Sequence, residues 1–344
     1  MIYYTYIAIS GENKISIFTM NPETGLLQHK EDVGLHDGPG PLAVDPERKF
    51  LYAAMRSSQE VLSFSIDPNT GSLTQLGSVK LQDGPCYIAT DRKGRFLLGA
   101  YYSSGAASVN PINEDGIATD PQVQWVSTAD KAHCVQTDSS NRFVFVPHVV
   151  PANAIFQFEF NENTGALTPN AVPRAVPERE DGPRHFCFHP GKDIVYTSNE
   201  QGSSVTAYHF DKTAGTLSPF QTIPTLPPEG YDESKGDEEN SCSQITITPS
   251  GRFLYAPNRG HNSMACFKVD KETGELSTIG YQPIEAHTRG ISLDPHGNFL
   301  YAAGARSGRL ATFRISEQTG ALEPLENFAV GKSPMWVLFV TQDS

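Results

Sequence analysis

A turn glycine followed within one or two residues by a hydrophobic side chain recurs at Gly25, Gly71, Gly116, Gly165, Gly215, Gly274 and Gly320. The intervals are 46, 45, 49, 50, 59 and 46 residues. A period of this length marks a repeat architecture, in which one supersecondary unit is copied and the copies are stacked. A second tag precedes the glycine turn at a matching offset: KFLYAA from Lys49, RFLLGA from Arg95, RFVFVP from Arg142, DIVYTS from Asp193, RFLYAP from Arg252 and NFLYAA from Asn298. The N-terminal YYTYIAI reads as a degenerate seventh copy.

Each unit reads as strands joined by turns. Segments such as FLYAA, EVLSFSI, SVTAYHF and RLATFRI are four to eight residues of β-branched and aromatic character. No stretch keeps a 3.6-residue apolar period with caps, so few helices are expected. Four short strands per unit, seven times over, predict an all-β, seven-bladed propeller with four-stranded antiparallel blades, a single domain over residues 1–344. An open solenoid would need polar terminal caps. Here the closing GKSPMWVLFV resembles the first strands DGPGPLAVD and DGPCYIATD, so residues 333–340 are expected to complete the blade that residues 2–30 begin. Such closure leaves no open edge.

Composition narrows the function. With 26 Lys+Arg against 39 Asp+Glu, the net charge is −13, the reverse of a nucleic-acid footprint. No apolar run approaches the ~20 residues of a membrane span. The opening MIYYTYIAISGENK lacks a basic n-region, and the five cysteines form no CxxC pair. Both point to a cytoplasmic protein without a zinc cage. No G-x-S-x-G, Walker loop or H-E-x-x-H occurs.

Inner strands of a propeller converge on its axis. Aligned on the residue before each Pro/Ser-x-Gly turn, they place Gly40, Cys86, His133, Arg184, Ser243, Arg289 and Met335 at one mouth. Pro41, Tyr87, Cys134, His185, Gln244, Gly290 and Trp336 follow one residue later. The second strands end at Ser10, Arg56, Tyr102, Val149, Glu200, Arg259 and Ala305. Structural repeats favour small apolar residues at such positions, so the charged ones stand out. His133, Arg184, Glu200 and Arg259, on blades four, five and six, form the candidate catalytic set. His185, Arg289, His148 and His287 are candidate substrate contacts. Cys86, Cys134 and Cys242 read as small buried hydrophobes. Residues 227–240, PPEGYDESKGDEEN, carry six acidic residues and one lysine and account for the long fifth interval. They read as a solvated loop, with a position beside the mouth as the alternative.

AHCVQTD, DGPRHFCFHP, YTSNEQGSSVTAY, GRFLYAPNRGHNSMACF and VGKSPMWV resemble the seven-bladed propeller lactonase family that includes bacterial 6-phosphogluconolactonase and the fungal carboxymuconate lactonizing enzyme. The resemblance covers nearly the whole chain. PRHFCFHP, NEQGSSV and GKSPMWV bring it nearer the phosphogluconolactonase branch, whereas PHVVPANAIF, the acidic insertion and ENSCSQI depart from that branch. It implies hydrolysis of 6-phosphogluconolactone to 6-phosphogluconate, with the family's His, Arg, Glu and Arg falling on His133, Arg184, Glu200 and Arg259. A carboxymuconate-type cycloisomerase and a non-catalytic scaffold are the alternatives. Either Glu200 or His133 serves as base or proton shuttle, and an arginine stabilises the oxyanion. The expected partner is a small anionic lactone, with no nucleic acid, membrane or cofactor. No metal is required, although Asn199 and Asn258 beside Glu200 leave a calcium cluster open. A monomer or weak homodimer is expected.

Overall fold

The computed structural model describes residues 2–231 and 239–342. Seven antiparallel sheets stand around a closed ring. Blade I joins the two ends of the chain: inner strand Pro334–Gln342, then Ile2–Ile9, Lys14–Met20 and Leu27–Gly34. Residue pairing along this seam runs from Ile2 against Gln342 to Ile9 against Pro334, so the expected ring closure is present. Blades II to VII begin at Pro39, Tyr87, Gln136, Pro183, Ser241 and Thr288. In blade VI the inner strand is split into Ser241–Cys242 and Thr246–Ile247, both paired with Phe253–Arg259. Among the described residues the one helical element is a short 3-10 turn, Ser10–Glu12.

The repeated tags now have physical reasons. Asp45 sits at the end of an inner strand, and its Oδ1 accepts the backbone N–H groups of Lys49 and Phe50 at 2.7 and 2.6 Å. Asp91, Asp138 and Asp294 make the same staple. These carboxylates pin the turn into the second strand, satisfying backbone donors that would otherwise be buried unpaired.

The turn glycines fasten blade to blade. Gly71 has φ +69°, and a Cβ built there would stand 2.4 Å from the Tyr4 ring of the preceding blade. Both the left-handed backbone and the ring contact therefore exclude a side chain. Gly25 makes the equivalent contact with Phe299 across the closing seam. Second-strand tyrosines complete the joint from the other side. Tyr6, Tyr52, Tyr196, Tyr255 and Tyr301 donate hydroxyl protons to the carbonyls of Gly71, Gly116, Gly274, Gly320 and Gly25 at 2.7–3.0 Å. Each bond crosses from one blade to the next.

The core is accordingly not central. It consists of hydrophobic clusters at the seven blade interfaces, such as Tyr6, Ile17, Leu51 and Phe64 between blades I and II, and Phe299, Tyr301, Ile7 and Val337 between VII and I. Fully burying one such side chain contributes about 1.5–3 kcal/mol. Because the adhesive lies between blades, the axis is free to carry polar groups. Residues 232–238 of the acidic segment lie outside the described residues, so its placement beside the mouth is not addressed.

Candidate active site

Strand irregularity puts side chains on the axis. In blade V, Pro183 pairs with Asn199 and His185 with Ser198, so Arg184 is the extra residue of a β-bulge. In blade VII the same shift, between Thr288 and Gly290, singles out Arg289. Blade I bulges at Met335 and blade II at Gly40 and Pro41. A bulge bends its strand and re-aims one side chain. At four of the seven positions read in the sequence, in blades I, II, V and VII, the register falls on these bulges.

A cavity of about 290 Å³ opens on the axis, lined by Arg56, Tyr102, His133, Arg184, His185, Glu200, Arg289 and Trp336 among others. Glu200 Oε2 is its organising atom. Arg184 donates to it from Nε at 2.6 Å, Arg259 Nη2 lies 3.2 Å away, and His133 Nε2 stands at 3.9 Å. All three contacts fall on the same carboxylate oxygen. Arg259 is fixed in turn by donating from Nη2 to the Cys242 carbonyl at 2.9 Å. The Glu200 N–H donates to Gly182 O, and the Cys242 N–H donates to Glu200 O, tying blades V and VI at this point.

Electrostatics follow from burial. Burial pushes the Glu200 carboxyl up, but Arg184 and Arg259 together outweigh it and hold the group below its ordinary value, as an anion. Burial first, then the charge of Arg184 and the neighbouring His185, push His133 well below the usual imidazole range. His185 moves the same way through burial and three arginines. Burial and then Arg259 lower Arg184, which Glu200 holds up; it remains a guanidinium cation. The site is therefore cationic at neutral pH inside an acidic protein, with both imidazoles neutral.

Five buried polar atoms around this cavity have no hydrogen-bond partner among the described residues: His133 Nδ1, Arg184 Nη1, His185 Nε2, Arg259 Nε and Arg289 Nε. Buried donors left unpaired are costly. Their concentration at one place is what a pocket shaped for a polar, anionic ligand requires. On the opposite side the wall is aromatic. Trp336 meets Tyr87 edge-on at 5.4 Å between ring centroids, Tyr87 meets His185 at 5.1 Å, and His185 meets His133 at 5.2 Å.

The structure does not bring every expected residue here. His148 is fully buried within its blade, with Nδ1 hydrogen-bonded to the Asp130 carbonyl at 3.0 Å and its ring against Phe156. It precedes the mouth-facing register position, Val149, by one residue, and strand alternation turns it to the other face. His287 occupies a left-handed turn, φ +54°, ahead of the strand that carries Arg289, and does not line the cavity. Neither histidine stands as a substrate contact. Asn199 and Asn258 are committed inside their blades: Asn199 to Ser204 and Thr206, Asn258 to Thr225 and Ser263. Among the described residues no three His, Cys, Asp or Glu side chains gather as a metal cage. Cys86 lines the cavity, but burial pushes its thiol up to about 11 and its Sγ faces backbone carbonyls, so it is no nucleophile. Ser243, in the same register, instead links blades by donating to the Thr288 carbonyl. Arg56, which stood out as charged in the second-strand series, and Trp336, in the inner-strand series, also line the cavity, although neither was among the candidate catalytic or substrate-contact residues.

The profile of the family described as "Lactonase, 7-bladed beta-propeller" matches residues 2–339. Among curated proteins, 6-phosphogluconolactonase of Pectobacterium carotovorum is 33% identical over 242 residues, 70% of each chain. That of Erwinia tasmaniensis is 35% identical over 237 residues, 69% of this chain and 68% of its own. A candidate 6-phosphogluconolactonase of Bacteroides uniformis superposes with TM-score 0.88 at 27% identity, covering 98% of this chain and 99% of that one. The periplasmic gluconolactonase of Pseudomonas aeruginosa shares the fold, with TM-score 0.91 at 24% identity over the full length of both chains. Among the described residues no helix is long and apolar enough to cross a membrane.

Proposed function

Because the chain belongs to the seven-bladed β-propeller lactonase family, we propose that it hydrolyses 6-phosphogluconolactone to 6-phosphogluconate at the axial cavity. The observation that carries this reading is the cavity's charge: Arg56, Arg184 and Arg289 line it with Glu200 the sole carboxylate among the lining residues. Arg259 adds a further cation through its contact with Glu200.

The chemistry follows from those groups. Glu200 is ionised and held through Oε2, so Oε1 lies outside the arginine contacts and serves as general base toward a water. Water oxygen bonds to the lactone carbonyl carbon as its proton passes to Glu200. The carbonyl electron pair moves onto oxygen, and Arg184 Nη1, a buried donor without a partner among the described residues, donates a hydrogen bond to that oxyanion. Loss of one such donor typically costs about 2.7–4 kcal/mol of transition-state stabilisation. The ring C–O bond then breaks, and the leaving alkoxide takes a proton from Glu200, relayed where needed by the neutral His133. The products are a hydroxyl and a carboxylic acid, which releases its proton to solvent.

A pH profile checks the protonation states. Glu200 sits below the ordinary carboxylate value and His133 well below 6.5. Both are thus fully deprotonated at neutrality, and kcat, which reads the bound complex and not the titration of the free substrate's phosphate, is expected to stay level from about pH 6 to 8. Activity falls only on the acid side, as protons reach the carboxylate. An inflection at the ordinary imidazole value contradicts the assigned state of His133.

The activity itself is tested by titrating acid release from 6-phosphogluconolactone against its spontaneous hydrolysis. In parallel, carboxymuconate is followed by loss of diene absorbance. Acceleration of acid release supports the reading; diene loss without acid release assigns the protein to lactonization instead, and inertness toward both overturns an enzymatic role on these substrates.

A further inference from the structure

The cavity contains two guanidinium groups that the hydrolytic cluster does not use. Arg184 and Arg259 share Glu200, whereas Arg56 and Arg289 line the cavity with no carboxylate paired to either among the described residues. The two stand on blades VII and II, flanking blade I, whose Met335 and Trp336 form the wall between them. The hydrolytic groups occupy the other side, around blades IV to VI. Arg289 Nε is buried without a hydrogen-bond partner among the described residues. Burial, then Arg259, lower the Arg289 guanidinium, Glu200 partly offsets them, and the charge of Arg56 lowers it further. Arg289 and Arg56, the latter exposed at the mouth, line one cavity without an ion-paired carboxylate among the described residues, and suit a ligand group that brings more than one negative charge and several acceptor oxygens. A phosphate monoester meets both demands, at close to −2 near pH 7 with three terminal oxygens. A carboxylate brings a single charge and two oxygens.

The layout matches the shape of such a substrate. In a six-membered lactone with a phosphate on its exocyclic carbon, the acyl carbon and the carbon bearing that arm flank the ring oxygen, and the arm carries the phosphate outward, several bonds from the acyl carbon. Glu200, Trp336, Arg56 and Arg289 line one cavity, so with the acyl carbon at Glu200 the phosphomethyl arm extends toward the two arginines and a face of the ring lies toward Trp336. Resting on the lactonase reading above, we propose that Arg56 and Arg289 form the phosphate subsite and thereby select phosphorylated over unphosphorylated lactones.

The test compares kcat/KM for 6-phosphogluconolactone and for glucono-δ-lactone in the wild-type protein, Arg56→Gln and Arg289→Gln, with inorganic phosphate as competitor and circular dichroism to confirm folding. Each substitution is expected to reduce the phosphorylated-to-unphosphorylated preference about 10- to 100-fold, chiefly through KM, and to weaken inhibition by phosphate. Arg56→Lys, which keeps the charge but not the fork, is expected to fall between. An unchanged preference, or equal phosphate inhibition in all forms, overturns the subsite. A wild-type protein that turns over only the unphosphorylated lactone overturns the subsite but leaves the lactonase reading intact. One that turns over neither overturns that reading, and the subsite with it.

Discussion

Replacing Glu200 by glutamine is expected to lower kcat for 6-phosphogluconolactone by roughly 10²–10⁴-fold, the range a positioned general base contributes. KM is expected to hold or fall. The reason is the arrangement around Oε2: Arg184 at 2.6 Å and Arg259 at 3.2 Å spend part of their charge on the carboxylate. A neutral amide still accepts the Arg184 N–H but no longer offsets either cation. The cavity then binds an anion at least as well while lacking a group to take the water's proton. A kcat loss without a KM rise therefore separates catalysis from mere disruption of the pocket. Stability also declines, because removing one partner of a buried ion pair typically costs about 3–5 kcal/mol, reduced here by the remaining hydrogen bond. Phosphate added to the variant is expected to recover thermal stability by supplying the missing counter-charge. A kcat within threefold of wild type, on the order of 0.7 kcal/mol, contradicts the assignment of the base.

Ending the chain at Ser333 is expected to abolish cooperative thermal unfolding. The lost strand, Pro334–Gln342, pairs along the whole of Ile2–Ile9 and supplies Val337 and Val340 to two blade interfaces. Each valine contributes about 1.5–3 kcal/mol on burial, and each ladder hydrogen bond about 0.5–1.5 kcal/mol. Their sum approaches the ~5–15 kcal/mol that a whole domain commonly has in reserve. The truncation also uncovers the inner edge of Ile2–Ile9 and removes Trp336 from the cavity wall. Differential scanning calorimetry reads the result directly. A truncated chain with an unshifted transition contradicts the view that this seam closes the ring.

The ring itself was legible because its cause is local and copied. Each turn glycine answers to a positive φ and to a side chain one blade back, an aromatic ring at six of the seven and Ile194 at Gly274, so the same residue returned at every interval. The tyrosine-to-glycine hydrogen bonds were not legible, since nothing in a single repeat shows which neighbouring blade a hydroxyl reaches. The axial register was legible for a related reason. Residues at bulges escape the demand for β-branched packing, so Arg184 and Arg289 stood out among the uncharged Gly40, Cys86, Ser243 and Met335 of the same register. His148 misled because every residue from Phe143 to His148 is buried, leaving no polar alternation to show which face the imidazole takes. Arg56 was visible in the second-strand series but distant in sequence from the other charged positions. Only the closed ring makes blade II a near neighbour of blade VII.

A crystal structure with 6-phosphogluconate bound tests the central claim most directly. The account expects the product's carboxylate within hydrogen-bond reach of Arg184, its carbon chain along Trp336, and its phosphate on Arg56 and Arg289. Density for the molecule away from the axis, with Glu200 and its arginines untouched, would contradict it.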